Sequence, residues 1–178
     1  MSAASGGCFD LNRLRLAAGD GRRLELTAAL EPFSLGGQRY RVVPQPLPVV
    51  LELSRTAHGY ALRLRFTAAL DGPCMRCLGP AMARFEVDAR EVWQPGAVEE
   101  PGSSVELDSP YLDGGVLDLG AWSRDALALS LPPAIVCRED CAGLCAVCGA
   151  DLAGAGPGHG HAAEPDPRWA KLSEVRFE

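Results

Sequence analysis

Six of the seven cysteines lie in closely spaced pairs, and this pattern constrains the fold of the 178-residue chain more than any other feature. A pair of histidines follows the third cysteine pair in a glycine-rich loop. The paired residues are Cys74 and Cys77, Cys137 and Cys141, Cys145 and Cys148, and His159 and His161. Thiolates and imidazoles separated by one to four residues are the donors that wrap a tetrahedral zinc ion. These donors predict two structural zinc ions, and only Cys8 and His58 are left without an assignment.

Distance along the sequence indicates which donors form one of the two sets, but not which donors form the other. The simplest pairing gives one ion Cys74, Cys77, Cys137 and Cys141, and gives the other ion Cys145, Cys148, His159 and His161. The second set is local, because about ten residues separate its cysteines from its histidines, close to the loop lengths of zinc fingers. The first set requires a tertiary contact. Two alternatives stay open: the second and third cysteine pairs exchange ions, or a single ion uses part of the set.

Zinc sites of this composition favour a structural role over catalysis. Catalytic zinc keeps an open position beside a general base, whereas four protein ligands close a structural site. The string Pro73 to Cys77 resembles the second half of the nucleobase deaminase signature, whose first half is His-x-Glu. No histidine in the chain has a Glu two residues later, and no Gly-rich phosphate loop is present. We therefore expect no enzyme and no small-molecule substrate; the alternatives are a zinc-dependent hydrolase or deaminase-like enzyme, and a redox-responsive zinc switch.

Composition and hydropathy indicate the cellular compartment and the number of domains. With 47% apolar and 22% charged residues, the chain has the make-up of a soluble globular protein with one main domain. The N-terminus shows no signal peptide, and the most apolar run, residues 126–136, is too short for a membrane span. We expect a cytoplasmic protein with no membrane partner. In a reducing cytosol, paired cysteines are metal ligands more often than disulfides.

Four segments in the first half of the chain alternate apolar and polar residues, which is typical of half-buried β-strands. They begin near Arg22, Val49, Tyr60 and Phe85. The dipeptide His58-Gly59 predicts a hairpin between the second and third strands, with Gly59 supplying a positive φ. The first cysteine pair falls in the next connection and predicts a zinc knuckle at a hairpin tip.

The second half of the chain has fewer regular patterns. Periodicity is lost over residues 94–115, where Pro, Gly, Ser and acidic residues predict a loop or mobile linker. A helix is predicted over about 119–131, with Asp118 as its N-cap and two prolines ending it. Asp166-Pro167 predicts a second, short helix near the C-terminus.

These elements predict an α+β, β-rich fold: an antiparallel sheet or partly closed barrel, a few helices and a zinc-stapled C-terminal lobe. We expect one integrated domain in three parts. Residues 1–93 form the antiparallel β body with a zinc knuckle at 74–77. Residues 94–117 form an acidic flexible loop. Residues 118–178 form the lobe, with a helix, the Cys/His ligands and the short C-terminal helix.

The formal charge of −6 is unevenly distributed. Residues 1–93 hold 12 basic and 9 acidic residues, whereas residues 94–178 hold 5 basic and 14 acidic residues. This asymmetry indicates a charged partner. Arginines on the predicted sheet could form a nucleic-acid-binding face, or could pair with Glu and Asp on a solvated face. The candidates are Arg22, Arg23, Arg39, Arg41, Arg63 and Arg65.

Four motifs along the chain carry a family resemblance. They are Cys74-Met-Arg-Cys77-Leu, Pro132-Pro133, the run from Cys141 to Leu152, and Asp166-Pro167-Arg168. The set is similar to that of the YceD family, the large ribosomal RNA subunit accumulation proteins of bacteria and plastids, over about residues 9–172. Many relatives carry Cys-x-Cys where this chain has His159-Gly-His161. That replacement exchanges one zinc-ligand type for another, which favours the ligand interpretation of the histidines.

The resemblance implies a role in the accumulation or processing of large-subunit ribosomal RNA in the cytoplasm, without a known catalytic activity. The implied partner is large-subunit ribosomal RNA or a ribosomal protein. An acidic protein is a poor general binder of phosphate backbones. RNA binding would therefore need a local arginine face. The acidic segment 94–118 could instead hold a basic ribosomal protein, or could be a plain solvated linker, which is the interpretation we favour. We expect a non-enzymatic, zinc-binding factor of ribosome biogenesis.

Overall fold

β-Strands dominate the computed structural model, which describes residues 7–94, 109–156, 158–162 and 168. The elements in chain order are β1 (Cys8–Asp10), a 3₁₀ helix (Leu11–Leu14), β2 (Gly21–Ala28), β3 (Phe33–Leu35), β4 (Gln38–Val43), β5 (Leu47–Arg55), β6 (Tyr60–Pro73), β7 (Pro80–Trp93), β8 (Leu112–Asp113), β9 (Val116–Asp118) and α1 (Leu119–Leu129). Apart from Arg168, the predicted C-terminal helix lies outside the described residues, as do residues 95–108 of the predicted linker.

Strand β6 is the centre of the main sheet. It pairs with β7 in antiparallel fashion over all 14 of its residues. Its other edge is divided between β5, which pairs with Tyr60–Arg65, and β4, which pairs with Ala69–Asp71. β2 extends the sheet beyond β5, and β3 extends it beyond β4. Over the described residues the sheet is antiparallel and not closed, so the antiparallel sheet is the predicted architecture that is confirmed.

The hydrophobic core lies on one face of this sheet. Alternate residues of β5 and β6 are buried, including Leu51, Leu53, Leu62 and Leu64, each at most 3% exposed. The residues between them, such as Arg63, lie on the opposite face. A strand directs successive side chains to opposite faces, which is why alternation in the sequence predicted these strands correctly. Burial of each such leucine contributes about 2 kcal/mol.

Helix α1 packs against β1, β2 and β7 and buries Trp122 and Leu127. The Asp118 carboxylate accepts a hydrogen bond from Ala121 N–H at 2.9 Å, which confirms the predicted N-cap. The helix ends at Leu129, two residues before the predicted end, where the Ser130 hydroxyl donates to the Leu127 carbonyl. No helix among the described residues is long and apolar enough to cross a membrane.

Several short strands were not predicted, since two or three residues are too few to show a period. β9 pairs with β1 and β8 in a second, three-stranded sheet. β8 and β9 lie at the end of the predicted linker and form a hairpin. Its two turn residues, Gly114 and Gly115, have φ of 55° and 84°, the pair of positive values that a type I′ turn requires.

The hairpin at His58-Gly59 is present, but its glycine is needed for a different reason from the predicted one. Gly59 does not have a positive φ. A Cβ at this position would overlap the backbone carbonyl of Trp93, at the end of the neighbouring strand. Thr56 N–H donates to the Gly59 carbonyl at 3.0 Å, and Gly59 N–H donates to the Thr56 hydroxyl at 2.8 Å. Close approach of β7, rather than the handedness of the turn, therefore selects glycine.

Candidate metal centres

The first cysteine pair lies in the tight turn between β6 and β7, which we call the hairpin tip (residues 74–79). Cys74 N–H donates to the Gly79 carbonyl at 2.6 Å, and Leu78 N–H donates to the Cys74 carbonyl at 2.9 Å. Arg76 N–H donates to the Cys74 sulfur at 3.4 Å. Leu78 closes the turn with a φ of 60°, in the left-handed region. The tight turn predicted around Cys74 and Cys77 is therefore present, and one of its backbone N–H groups donates to a candidate ligand sulfur.

Residues 135–144 lie beside the hairpin tip and are hydrogen-bonded to it. Met75 N–H donates to the Ile135 carbonyl at 2.8 Å, and Leu144 N–H donates to the Arg76 carbonyl at 3.2 Å. Ile135 is 1% exposed, so its side chain joins the main core. This segment is therefore attached to the sheet at both of its ends.

Arg76 adds a side-chain clamp between the same two segments. Its guanidinium Nη1 donates to the backbone carbonyls of Glu139 at 3.2 Å and Cys141 at 3.1 Å. Gly143, with a φ of 79°, packs closely on the Arg76 backbone. No role for Arg76 was predicted from the sequence, although the position of this residue between two candidate ligands, Cys74 and Cys77, was a usable signal.

This packing brings four thiols together. The Cys74 and Cys141 sulfurs are 3.8 Å apart, and the Cys77 and Cys137 sulfurs are 3.7 Å apart. All four sulfur atoms lie within 4.8 Å of one another. Cys74 and Cys141 are buried, whereas Cys137 is exposed. We call this set the four-cysteine cluster; it could hold a metal ion.

The protonation of these thiols reflects how unfavourable several negative charges are in one cluster. Burial raises the pKa of Cys74, but N–H groups, including those of Cys77 and Arg76, outweigh it and lower that pKa to about 6. Hydrogen bonding with Cys141, together with burial, raises the pKa of Cys137 to about 12. One thiolate is thus stabilised by the backbone while a neighbour keeps its proton. A divalent cation would remove that repulsion.

The second cluster is built from a similar tight turn. Gly149 N–H donates to the Cys145 carbonyl at 2.8 Å, and Cys145 N–H donates to the Ala150 carbonyl at 2.8 Å. Gly149 has a φ of 72°, which suits glycine at the end of such a turn. Leu144 and Asp151 form an isolated antiparallel bridge that closes its base.

The two histidines fold back onto this turn. The Cys148 sulfur is 3.7 Å from Nε2 of His159, and the His159 and His161 rings meet edge to face with centroids 4.9 Å apart. One ligand atom from each of Cys145, Cys148, His159 and His161 lies within 4.8 Å of all the others. Hydrogen bonding with His159 and with nearby backbone N–H groups lowers the pKa of Cys145 to about 6. We call this set the cysteine–histidine cluster.

The two clusters divide the predicted donors in the same way as the simplest pairing from the sequence. They differ in their surroundings, because Cys74 and Cys141 of the four-cysteine cluster are buried and no member of the cysteine–histidine cluster is. Each offers four side-chain donors. A tetrahedral ion held by four protein ligands has no open position for water or substrate.

The six candidate arginines do not form a single basic face. Arg23 Nη1, Arg63 Nη1 and Arg65 Nη2 surround the Glu52 carboxylate at 3.5, 3.8 and 2.6 Å. Arg63 also binds Asp88, through Nε at 2.8 Å and Nη2 at 2.5 Å. This hydrogen bonding lowers the pKa of Asp88. Two acids on neighbouring strands therefore offset two of these three arginine charges.

The other three candidate arginines lie apart from this group. Arg41 pairs with Asp71 at 2.5 Å, near the hairpin tip. Arg22 is in register with the buried Leu53, so it lies on the opposite side of β2 from Arg23. Arg39 is on β4, in register with Ser34 of β3. The structure supports the alternative of a solvated face with paired charges for four of the six arginines.

Comparison with known proteins agrees with the motifs. A family model described as "Large ribosomal RNA subunit accumulation protein YceD" matches residues 62–176. Uncharacterized proteins of Mycobacterium tuberculosis and Mycobacterium bovis are each 35% identical over 130 residues, covering 72% of this chain and 61% of the relative. An uncharacterized protein of Mycobacterium leprae is 30% identical over 130 residues, covering 73% of this chain and 59% of the relative.

This chain spans about three fifths of the length of these relatives. No solved structure matches it. The family match includes both the four-cysteine and the cysteine–histidine clusters and covers more than half of the chain. The chain therefore belongs to the YceD family, described as large ribosomal RNA subunit accumulation proteins.

Proposed function

We propose that this protein is a non-enzymatic, zinc-binding factor of ribosome biogenesis that promotes the accumulation or processing of large-subunit ribosomal RNA. It acts in the cytoplasm, where ribosomes assemble and thiols stay reduced. Its partner is that RNA or a ribosomal protein. The family membership supports the ribosomal role, and the geometry of the clusters supports the zinc.

The observation that carries the zinc assignment is the spacing of the sulfur atoms. Four sulfurs at about 2.3 Å from a tetrahedral zinc ion lie about 3.8 Å from one another. The Cys74–Cys141 and Cys77–Cys137 separations are 3.8 and 3.7 Å. A sulfur and an imidazole nitrogen on one zinc ion lie about 3.6 Å apart, close to the 3.7 Å between Cys148 and His159. Tetrahedral thiolate and imidazole donors favour zinc among the common divalent metals.

The physical role proposed for the metal is to fix the C-terminal segment on the sheet. The donors of the four-cysteine cluster come from the hairpin tip and from residues 137–141, which are distant in sequence. Zinc bound there would connect these two segments through Zn–S coordination bonds. Structural zinc contributes on the order of 10–16 kcal/mol in small domains. A rigid surface built this way can present RNA- or protein-binding groups without any catalytic step.

Metal analysis of the purified protein tests the zinc. We expect about two zinc ions per chain by mass spectrometry, following from two sets of four donors. Cys74→Ser should remove one ion, and His159→Ala should weaken the other. Cys8→Ser is the matched control, because Cys8 lies outside both clusters. Unchanged zinc content in Cys74→Ser would contradict the assignment of the four-cysteine cluster.

Complementation in cells tests the ribosomal role. Cells that lack the gene should show a lower ratio of large- to small-subunit ribosomal RNA than wild-type cells. The intact protein and Cys8→Ser should restore that ratio, whereas Cys74→Ser should not. A normal ratio in cells that lack the gene would contradict the proposed function, whatever the zinc content of the protein.

A second candidate function, a redox-responsive zinc switch, is favoured by one observation. Cys148 is exposed and Cys145 is partly exposed, so a peroxide can reach the cysteine–histidine cluster. Oxidation by hydrogen peroxide would join the two thiolates in a disulfide, consume two protons, form two water molecules and release the zinc ion. Zinc release by mild peroxide that a thiol reductant reverses would support it. Retention of zinc under those conditions would exclude it.

A further inference from the structure

One edge of β7 is unpaired among the described residues. β6 occupies the opposite edge along the full length of β7, Pro80–Trp93. No other described strand pairs with β7. A strand with one paired edge directs the N–H and C=O groups of alternate residues away from the sheet. The edge therefore offers a row of backbone donors and acceptors to an extended chain.

A groove of about 550 Å³ runs along this edge. One wall consists of the consecutive residues 86–91 of β7. Successive side chains of a strand point to opposite faces, so a groove on one face of the sheet would contact only every second residue. Because this groove contacts six consecutive residues, it lies along the edge of the strand. The other wall comes from Tyr111, Trp122 and Leu129. We call this site the β7 groove; its length, about 20 Å, suits an extended segment of about six residues.

The walls of the β7 groove combine apolar surface with acidic side chains. Leu129 is 88% exposed, so an apolar contact is open at the α1 side. Glu86 and Glu91 line the groove and form no ion pair with another described residue. Asp125 lies next to it and accepts a hydrogen bond from the Tyr111 hydroxyl at 3.1 Å. Arg90 is the one basic residue of the lining among the described residues.

We propose that the β7 groove binds an extended, Lys- and Arg-rich segment of a partner protein, which adds a strand to the edge of β7. Backbone hydrogen bonds provide the attachment, and Leu129 contacts an apolar side chain of the segment. Glu86 and Glu91 select basic side chains, because opposite charges steer the encounter and like charges reject other segments. The inference deepens the proposed function, on which it rests, by naming a basic protein as the class of partner.

Two other occupants suit the groove less well. RNA would meet unpaired carboxylates at this site, and Glu52 and Asp88 offset two of the three charges of Arg23, Arg63 and Arg65 on the adjacent sheet face. The segment 95–108 of this chain contains four acidic and no basic residues. Its charge therefore repels the acidic groove.

Peptide binding to the purified full chain tests the proposal. The probe is a fluorescein-labelled peptide of about nine residues made of Lys and Val, longer than the groove by a residue or two at each end and measured by fluorescence anisotropy. It carries Lys at both odd and even positions, because Glu86 and Glu91 lie on opposite faces of β7. We expect saturable binding that weakens about tenfold in the Glu86→Lys/Glu91→Lys variant and at high salt. A peptide of equal charge with Pro in place of Val should also bind about tenfold less tightly, because proline cannot donate backbone hydrogen bonds. The matched control is Glu25→Lys/Glu31→Lys, which makes the same change in net charge at two exposed acids outside this groove.

Several outcomes would overturn the proposal. Equal weakening by Glu25→Lys/Glu31→Lys would show attraction to net charge alone. Protection of the edge amides of residues 86–91 from hydrogen exchange before peptide is added would show that the chain itself covers the groove. Binding of a single-stranded RNA of about 20 nucleotides, enough to span the site, that displaces the labelled peptide from the wild-type protein would make RNA the partner. Normal zinc content and normal rescue of ribosomal RNA without peptide binding would refute this inference and leave the proposed function standing.

Discussion

Replacement of Cys141 by serine measures how much the four-cysteine cluster stabilises the protein. Cys141 follows Cys74 by 67 residues, and their sulfur atoms are 3.8 Å apart. An ion shared by both cross-links the chain across that interval, and a cross-link closing a loop of this length stabilises the folded state by about 4 kcal/mol. The backbone hydrogen bonds between the hairpin tip and residues 135–144 remain in the variant. Cys77 and Cys137 span a similar interval, so this cross-link is lost only when the substitution releases the ion. We therefore expect Cys141→Ser to release the ion and to lower the free energy of unfolding by at least about 4 kcal/mol.

Urea unfolding followed by tryptophan fluorescence gives this free energy, and the comparison should be made with zinc and after chelation. In the zinc-free protein, Cys141→Ser should cost only about 1 kcal/mol, the cost of burying a hydroxyl in place of a thiol. Cys8→Ser should change the value by less than about 0.5 kcal/mol in both states. An equal loss with and without zinc would refute the cross-link, since the serine alone would then explain it.

Three further predictions concern the sheet and the helix. Leu127→Ala should lower the free energy of unfolding in urea by about 3 kcal/mol, because the Leu127 side chain is fully buried on the inner face of α1. Gly59→Ala should cost about 2 kcal/mol in the same assay through overlap with the Trp93 carbonyl, whereas Gly154→Ala, with space around it, should be nearly neutral. Asp88→Asn should flatten the acid dependence of thermal unfolding. Arg63 lowers the pKa of Asp88, so the carboxylate stabilises the fold above pH about 4 and this contribution is lost as the pH falls through the lowered pKa. An unchanged pH profile would contradict that pairing.

Much of the fold was predictable because its signals are local. The alternation around Leu62 and Leu64 reports a strand with one buried face, and Asp118 before an apolar periodicity reports a helix start. The close spacing within each cysteine pair likewise indicates a tight turn with two donors. The eight candidate ligands could be named from such spacing alone, and the family resemblance was carried by the motifs that contain most of them together with Pro132-Pro133 and Asp166-Pro167-Arg168.

Other features depend on contacts between distant parts of the chain. The meeting of Cys74 with Cys141 depends on Ile135 entering the core and on Arg76 binding the carbonyls of the facing segment. The compensation of Arg63 and Arg65 depends on strand order, which places Glu52 and Asp88 beside them.

By itself, the sequence determined which residues alternate, which ones turn and which ones could donate to a metal, since each of these properties is carried by neighbours along the chain. Only the tertiary structure decided which donors share a cluster, which charges are compensated and, among the described strands, which edge of β7 lies open. The physical reason is that these outcomes follow from the register and packing of segments far apart in sequence, and no local pattern encodes those distances.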